Sequence, residues 1–126
     1  MTKSFNANAL MALCLLLVSW LAWGGLPAPQ EGMASYYADS LQGNRTASGA
    51  KYDKNALTAA HQTLRFGTRV RVTNVASGKA VEVTINDRAP HTKRRIIDLS
   101  RAAASKLGIL DAGVAKVRVE VLKVPD

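Results

Sequence analysis

Three stretches of two-residue alternation restrict this chain to folds built on half-buried strands. In TRVRVTN, Thr68 to Asn74, Val70 and Val72 point one way while Arg69, Arg71 and Thr73 point the other. The same rhythm recurs where Val81, Val83 and Ile85 oppose Glu82 and Thr84, and again in KVRVEVLKV, Lys116 to Val124. The tetrad Val75 to Gly78 joins the first two stretches as a hairpin. A weaker alternation over Gly32 to Ala38 predicts a first strand with Tyr36 and Tyr37 on opposite faces, and Ala56 to His61 is a short apolar piece ending in histidine.

The segment EVTINDRAPHTKRRIIDLS, Glu82 to Ser100, organises the rest. It begins as a strand, enters a polar proline-containing loop at Asn86 to Arg95, and returns to an apolar run at Ile96 to Leu99. Ser100 then offers a side-chain cap to a helix that Gly108 stops after Leu107. Asp87 and Arg88 therefore sit at a strand end, held by a sheet yet facing solvent. The alternative for that pair is an exposed ion contact worth under about 1 kcal/mol. Asp39 to Asn55 is a long loop rich in turn residues. Short strands and one small helix predict an all-β fold, a closed or nearly closed barrel or else a flat two-layer sandwich.

Met1 to Gly24 does not read as part of that fold. LMALCLLLVSWLAW lacks charge and falls short of the roughly 20 apolar residues of a membrane span, as a signal peptide does, with Ala22 and Gly24 as the small residues before a cleavage at Gly25. An uncleaved anchor, and so a membrane tether, is the alternative. Residues 25–31 read as a linker. What remains is about 100 residues, enough for one domain, and it has no cysteine because Cys14 lies in the leader. Leu13 before Cys14 disfavours a lipid anchor. The net charge of +8 falls to +7 without Lys3 and suits an anionic partner. Outside the cytoplasm, in the periplasm or envelope, that means cell-wall polymer or membrane surface rather than nucleic acid, with plain solubility as the other explanation.

Taken together, GMASYYA, TASGAKYD, ALTAAHQTLRFGTRVRVTN, INDRAP and RRIIDLSRAAASKLG stand in the order of the RlpA-like (rare lipoprotein A) double-psi β-barrel family, which the chain resembles from Gly32 to about Leu122. The resemblance implies a six-stranded, mainly β double-psi barrel over residues 32–123, with one or two short helices. It further implies an endolytic lytic transglycosylase of the septal ring. Such enzymes cut peptidoglycan glycan strands, prefer strands without stem peptides, and leave 1,6-anhydro-muramyl ends. Plant expansins and some endoglucanases resemble the same barrel, so the fold alone names no reaction. Many family members add a lipidated cysteine and a glycan-gripping C-terminal repeat; here the expectation is a bare monomeric barrel whose partners are glycan strands and, at the septum, divisome proteins.

Carried over by motif, the catalytic positions are His61 and Asp87, while the family's second acid falls on Ala50, whose methyl group cannot exchange a proton. Glycosidic cleavage needs a proton on the departing oxygen as positive charge builds on the ring, and the lytic variant uses the sugar's own 6-hydroxyl as nucleophile. Asp87 is expected to serve as acid and then base with its pKa raised by a less polar groove, and His61 to hold a substrate hydroxyl. Arg88, His91, Tyr37, Thr46 and Asp53 are the candidate sugar contacts, though Asp53 reads equally as an Asx-turn over Lys54-Asn55, and Tyr36 and Tyr37 equally as barrel packing. Lys93, Arg94 and Arg95 form a solvated turn or meet muramyl carboxylates and wall phosphates. Neither a cofactor nor a metal site is expected, since the two histidines lie on distant loops. A glycan-binding module that lost its acid, or an expansin-like wall-loosening protein, are the competing readings.

Overall fold

The computed structural model describes residues 25–126, so the expected leader lies outside the described residues. Among the described residues six strands form, β1 (Gln30–Tyr36), β2 (Thr58–His61), β3 (Arg69–Asn74), β4 (Ala80–Asp87), β5 (Arg95–Leu99) and β6 (Ala115–Lys123), with one α-helix, α1 (Arg101–Leu107), between the last two and a single 3-10 turn at Asp39–Leu41. They close a barrel in the order β1-β5-β2-β4-β3-β6, which decides between barrel and sandwich. The pairs β1/β5 and β2/β4 are parallel and the remaining pairs antiparallel. Closure leaves no free sheet edge and lets one small core serve every strand.

The alternating valines do what their spacing requires. Val70, Val72, Val83 and Val117 are buried in one cluster with Ile85, Ile97, Leu99 and Ala59, and α1 seals it with Ala103, Ala104 and Leu107. Ser100 caps α1 as expected, its Oγ accepting from Ala103 N at 3.2 Å while donating to the Ala56 carbonyl at 2.6 Å. Gly108 ends the helix in the left-handed region at φ 77°. β1 starts at Gln30, so Gln30 and Glu31 of the expected linker pair with Val119 and Arg118 of β6.

Two irregularities in the ladders matter for function. Between β2 and β4 the register runs Ala59↔Ile85 and then Ala60↔Asp87, so Asn86 is an extra residue in β4. Between β1 and β5 it runs Met33↔Arg95 and then Ala34↔Ile97, so Ile96 is extra in β5. Each bulge shifts the phase of the side chains beyond it. Gly32 permits the second one: a Cβ there would stand 2.7 Å from Ile96 Cγ2. Gly32→Ala is expected to lower stability by about 1–3 kcal/mol through overpacking against a β-branched side chain, seen as a lower urea midpoint; an unchanged midpoint would show that Ile96 yields freely.

Candidate active site

Regular alternation through Val81, Val83 and Ile85 would send Asp87 into the core. The Asn86 bulge instead turns it to the outer face, where it pairs in register with Ala60. Ala60 in turn stands opposite Asp98 of β5, and Asp98 opposite Ser35 of β1. Ser35, Asp98, Ala60 and Asp87 thus form one row across four adjacent strands, with the two acids two strand spacings apart, about 10 Å between Cα atoms. A cleft of about 260 Å³ opens beside three members of this row, Ser35, Asp98 and Asp87, and is lined also by Tyr37, Leu41 and Arg95, while Ala60 is fully buried.

The Asp87 carboxylate is firmly held. Tyr37 Oη donates to Oδ2 at 2.5 Å, and the backbone N–H groups of Ala47 and Arg88 both donate to Oδ1 at 2.8 Å. Burial works to raise its pKa, but the hydrogen bonds from Tyr37, Ala47 and Arg88, with the positive charge of Arg88, outweigh it and leave the group below its ordinary value. The expected upward shift is therefore reversed, because the groove around this carboxylate is rich in donors rather than apolar. Burial and the bond to Asp87 push the Tyr37 hydroxyl far upward, so it stays a donor. Its ring stacks on Tyr52 at 4.3 Å between centroids, and Tyr52 Oη accepts from Arg101 N at the start of α1.

The remaining predicted residues are distributed differently from the expectation. Thr46 is a buried brace: its hydroxyl donates to the Ala50 carbonyl at 2.7 Å and lies 2.9 Å from Ser48 Oγ, fixing the turn that presents Ala47 N–H to Asp87. Ala50, at the end of that turn, is exposed. Asp53 forms the Asx-turn, its Oδ1 accepting from Asn55 N at 2.9 Å. His91 is exposed on the loop beyond Pro90. The Arg88 guanidinium turns away from Asp87: it lies 4.1 Å over the Phe66 ring and donates to the carbonyls of His61 and Leu64.

His61 does not share the Asp87 cleft. Its ring is 4% exposed and borders a separate cavity of about 320 Å³ beneath Pro27 to Gln30. Nδ1 accepts from the N–H groups of Thr63 and Leu64 at 3.1 and 3.2 Å, which leaves the proton on Nε2, 3.0 Å from Gln30 Oε1. Burial, then the charge of Arg88, lowers its pKa. What sequence reasoning missed is Asp98, whose Oδ1 accepts from Ser35 Oγ at 2.5 Å. The available signal was an acid inside the otherwise apolar strand Ile96-Ile97-Asp98-Leu99.

Residues 29–119 match the sequence profile of the family described as "Lytic transglycolase". The chain belongs to that family. Its relatives include the "Probable endolytic peptidoglycan transglycosylase RlpA" of Nostoc sp., 53% identical over 94 residues that cover 73% of this chain and 25% of the relative. The "Endolytic peptidoglycan transglycosylase RlpA" of Neisseria meningitidis serogroup A is 50% identical over 91 residues, 72% of this chain and 38% of the relative. The chain thus spans between a quarter and two fifths of the length of these curated relatives. Among solved structures, the Streptomyces papain inhibitor superposes with a TM-score of 0.64 at 26% identity, covering 78% of this chain and 97% of its own. Apo expansin of Clavibacter michiganensis gives 0.61 at 24% identity, covering 79% and 52%, which shows shared fold. The RlpA-like double-psi barrel implied by the motifs is therefore the fold of this family member.

Tyr37→Phe keeps the ring stack but removes one donor from Asp87. The Asp87 pKa, followed by carboxyl carbon NMR, is expected to rise in this variant. The stability that ionised Asp87 contributes is complete above its unfolded-state pKa and disappears as pH falls through the folded value, so the variant should lose it at higher pH than the wild type. An Asp87 titration unmoved by the substitution would contradict the assignment of that hydrogen bond.

Proposed function

We propose that this domain is an endolytic peptidoglycan lytic transglycosylase of the bacterial cell envelope, acting on glycan strands without stem peptides and leaving 1,6-anhydro-muramyl ends. The observation that carries the reading is the row of two carboxylates under one outward cleft, in a chain about half identical to proteins named endolytic peptidoglycan transglycosylases.

Asp87, with its pKa held down, acts as a base first. It takes the proton of the muramyl 6-hydroxyl as O6 attacks C1, the C1–O4 bond breaks, and the same carboxyl passes that proton to the departing O4. No water is consumed and the protons balance. Asp98 faces the ring from the other side of Ala60 and stabilises the positive charge that develops on it. Tyr37 and Ala47 N–H orient the base, and Thr46 holds the turn that supplies the second of these donors. His61 acts as a positioning residue: it organises the Thr63-Leu64 turn, whose neighbouring carbonyls fasten Arg88 next to Asp87.

Asp87→Asn is expected to reduce release of anhydro-muropeptides from purified sacculi by about a hundredfold or more, as read by mass spectrometry; undiminished release removes Asp87 from the reaction. The methyl group at position 50 favours a second reading, a barrel that binds glycan without cutting it. Ala50→Glu separates the two. A rise in turnover of about tenfold or more supports an enzyme short of one acid, whereas retained binding with no products from either protein supports the binding module.

A further inference from the structure

The same cleft holds a cation, Arg95, whose contact with Asp98 is a long ion pair at 3.9 Å and whose donors are left largely free. Arg95 is the first residue of β5, three positions before Asp98, a separation that in a regular strand puts the two side chains on opposite faces. The Ile96 bulge cancels that alternation, so both line the cleft. Arg95 Nη1 donates to Ser35 Oγ at 3.2 Å, and Ser35 spends its own proton on Asp98. Arg95 Nε is buried and has no hydrogen-bond partner among the described residues, its nearest carboxylate oxygen being Asp98 Oδ1 at 3.9 Å. Asp87 already accepts from Tyr37, Ala47 and Arg88, none of them Arg95. The guanidinium offers five N–H donors in a fork, of which the protein engages one, and its side chain remains 40% exposed.

We infer that Arg95 is a specificity-determining residue that pairs with a carboxylate carried by the sugar itself, the 3-O-lactyl group of a muramyl residue. The inference rests on the function proposed above and names what its site reads. When a stem peptide is attached, that lactyl carbonyl is a neutral amide with a bulky substituent, which offers the guanidinium no anion. Hydrolysis of the amide exposes a carboxylate of matching planar geometry, worth a charge-assisted, forked contact. Preference for bare strands then arises from attraction inside the cleft and not only from exclusion of peptide at its rim.

The test measures binding, so that it stands apart from turnover. Glycan strands stripped of peptide, and the same strands with their lactyl carboxyls methyl-esterified, are titrated calorimetrically into the domain. The wild type should bind the free acid about tenfold more tightly than the ester. Arg95→Gln should bind both as weakly as the wild type binds the ester, and Lys106→Gln, which removes a positive charge from α1, should retain the full preference. Arg95→Lys keeps a charge without the fork and should show a clearly reduced preference; it decides the matter if the glutamine variant does not fold. Equal affinity of the wild type for acid and ester, or an undiminished preference in the Arg95 variants, overturns the inference. A preference that depends on Arg95 without release of anhydro ends would instead reject the proposed reaction and leave the recognition intact.

Discussion

One surplus residue in β4 decides what this barrel can do. If β4 kept its phase past Ile85, the Asp87 carboxylate would point into a core of valine, leucine and isoleucine, where an unpaired charge costs several kcal/mol. The bulge at Asn86 moves it to the outer face, into a row with Ser35, Asp98 and Ala60. A second bulge at Ile96 does the same for Arg95. The barrel supplies stiffness, and its two ladder faults supply the aim.

Around that row the structure is redundant in a directed way. Asp87 receives donors from the end of β1, from the loop following it and from its own successor in the chain. The loop is itself fixed by Thr46 and by Ser48 N donating to the Asn86 carbonyl at 3.2 Å. Tyr37 leans on Tyr52, and Tyr52 is tied to the first turn of α1. Several elements distant in sequence thereby converge on one carboxylate. Such convergence restricts the carboxylate to one geometry and favours its ionised form before any substrate arrives.

The fold was largely legible. Alternating valines marked β3, β4 and β6, Ser100 and Gly108 marked both ends of α1, and the motif order indicated a double-psi barrel. The site was legible only in part. Asp87 stood out as an acid at a strand end, but its environment did not, because a donor-rich cradle assembled from Tyr37 and Ala47 depends on contacts across 50 and 40 residues of chain. Bulges leave little trace in a hydrophobic pattern, so the company of Asp98 and the separation of His61 could not be read. His61 and Asp87 lie on neighbouring strands, and adjacency along the chain motifs does not say which way a ring turns.

The most direct measurement is a crystal structure of the domain holding a peptide-free glycan fragment that spans the scissile bond. The account predicts the sugar in the cleft between Asp87 and Asp98, its 6-hydroxyl within about 2.6–3.2 Å of an Asp87 carboxylate oxygen and its ring beside Asp98. A fragment seated in the cavity beneath Pro27 to Gln30 against His61, with the Asp87 cleft left to solvent, would contradict it.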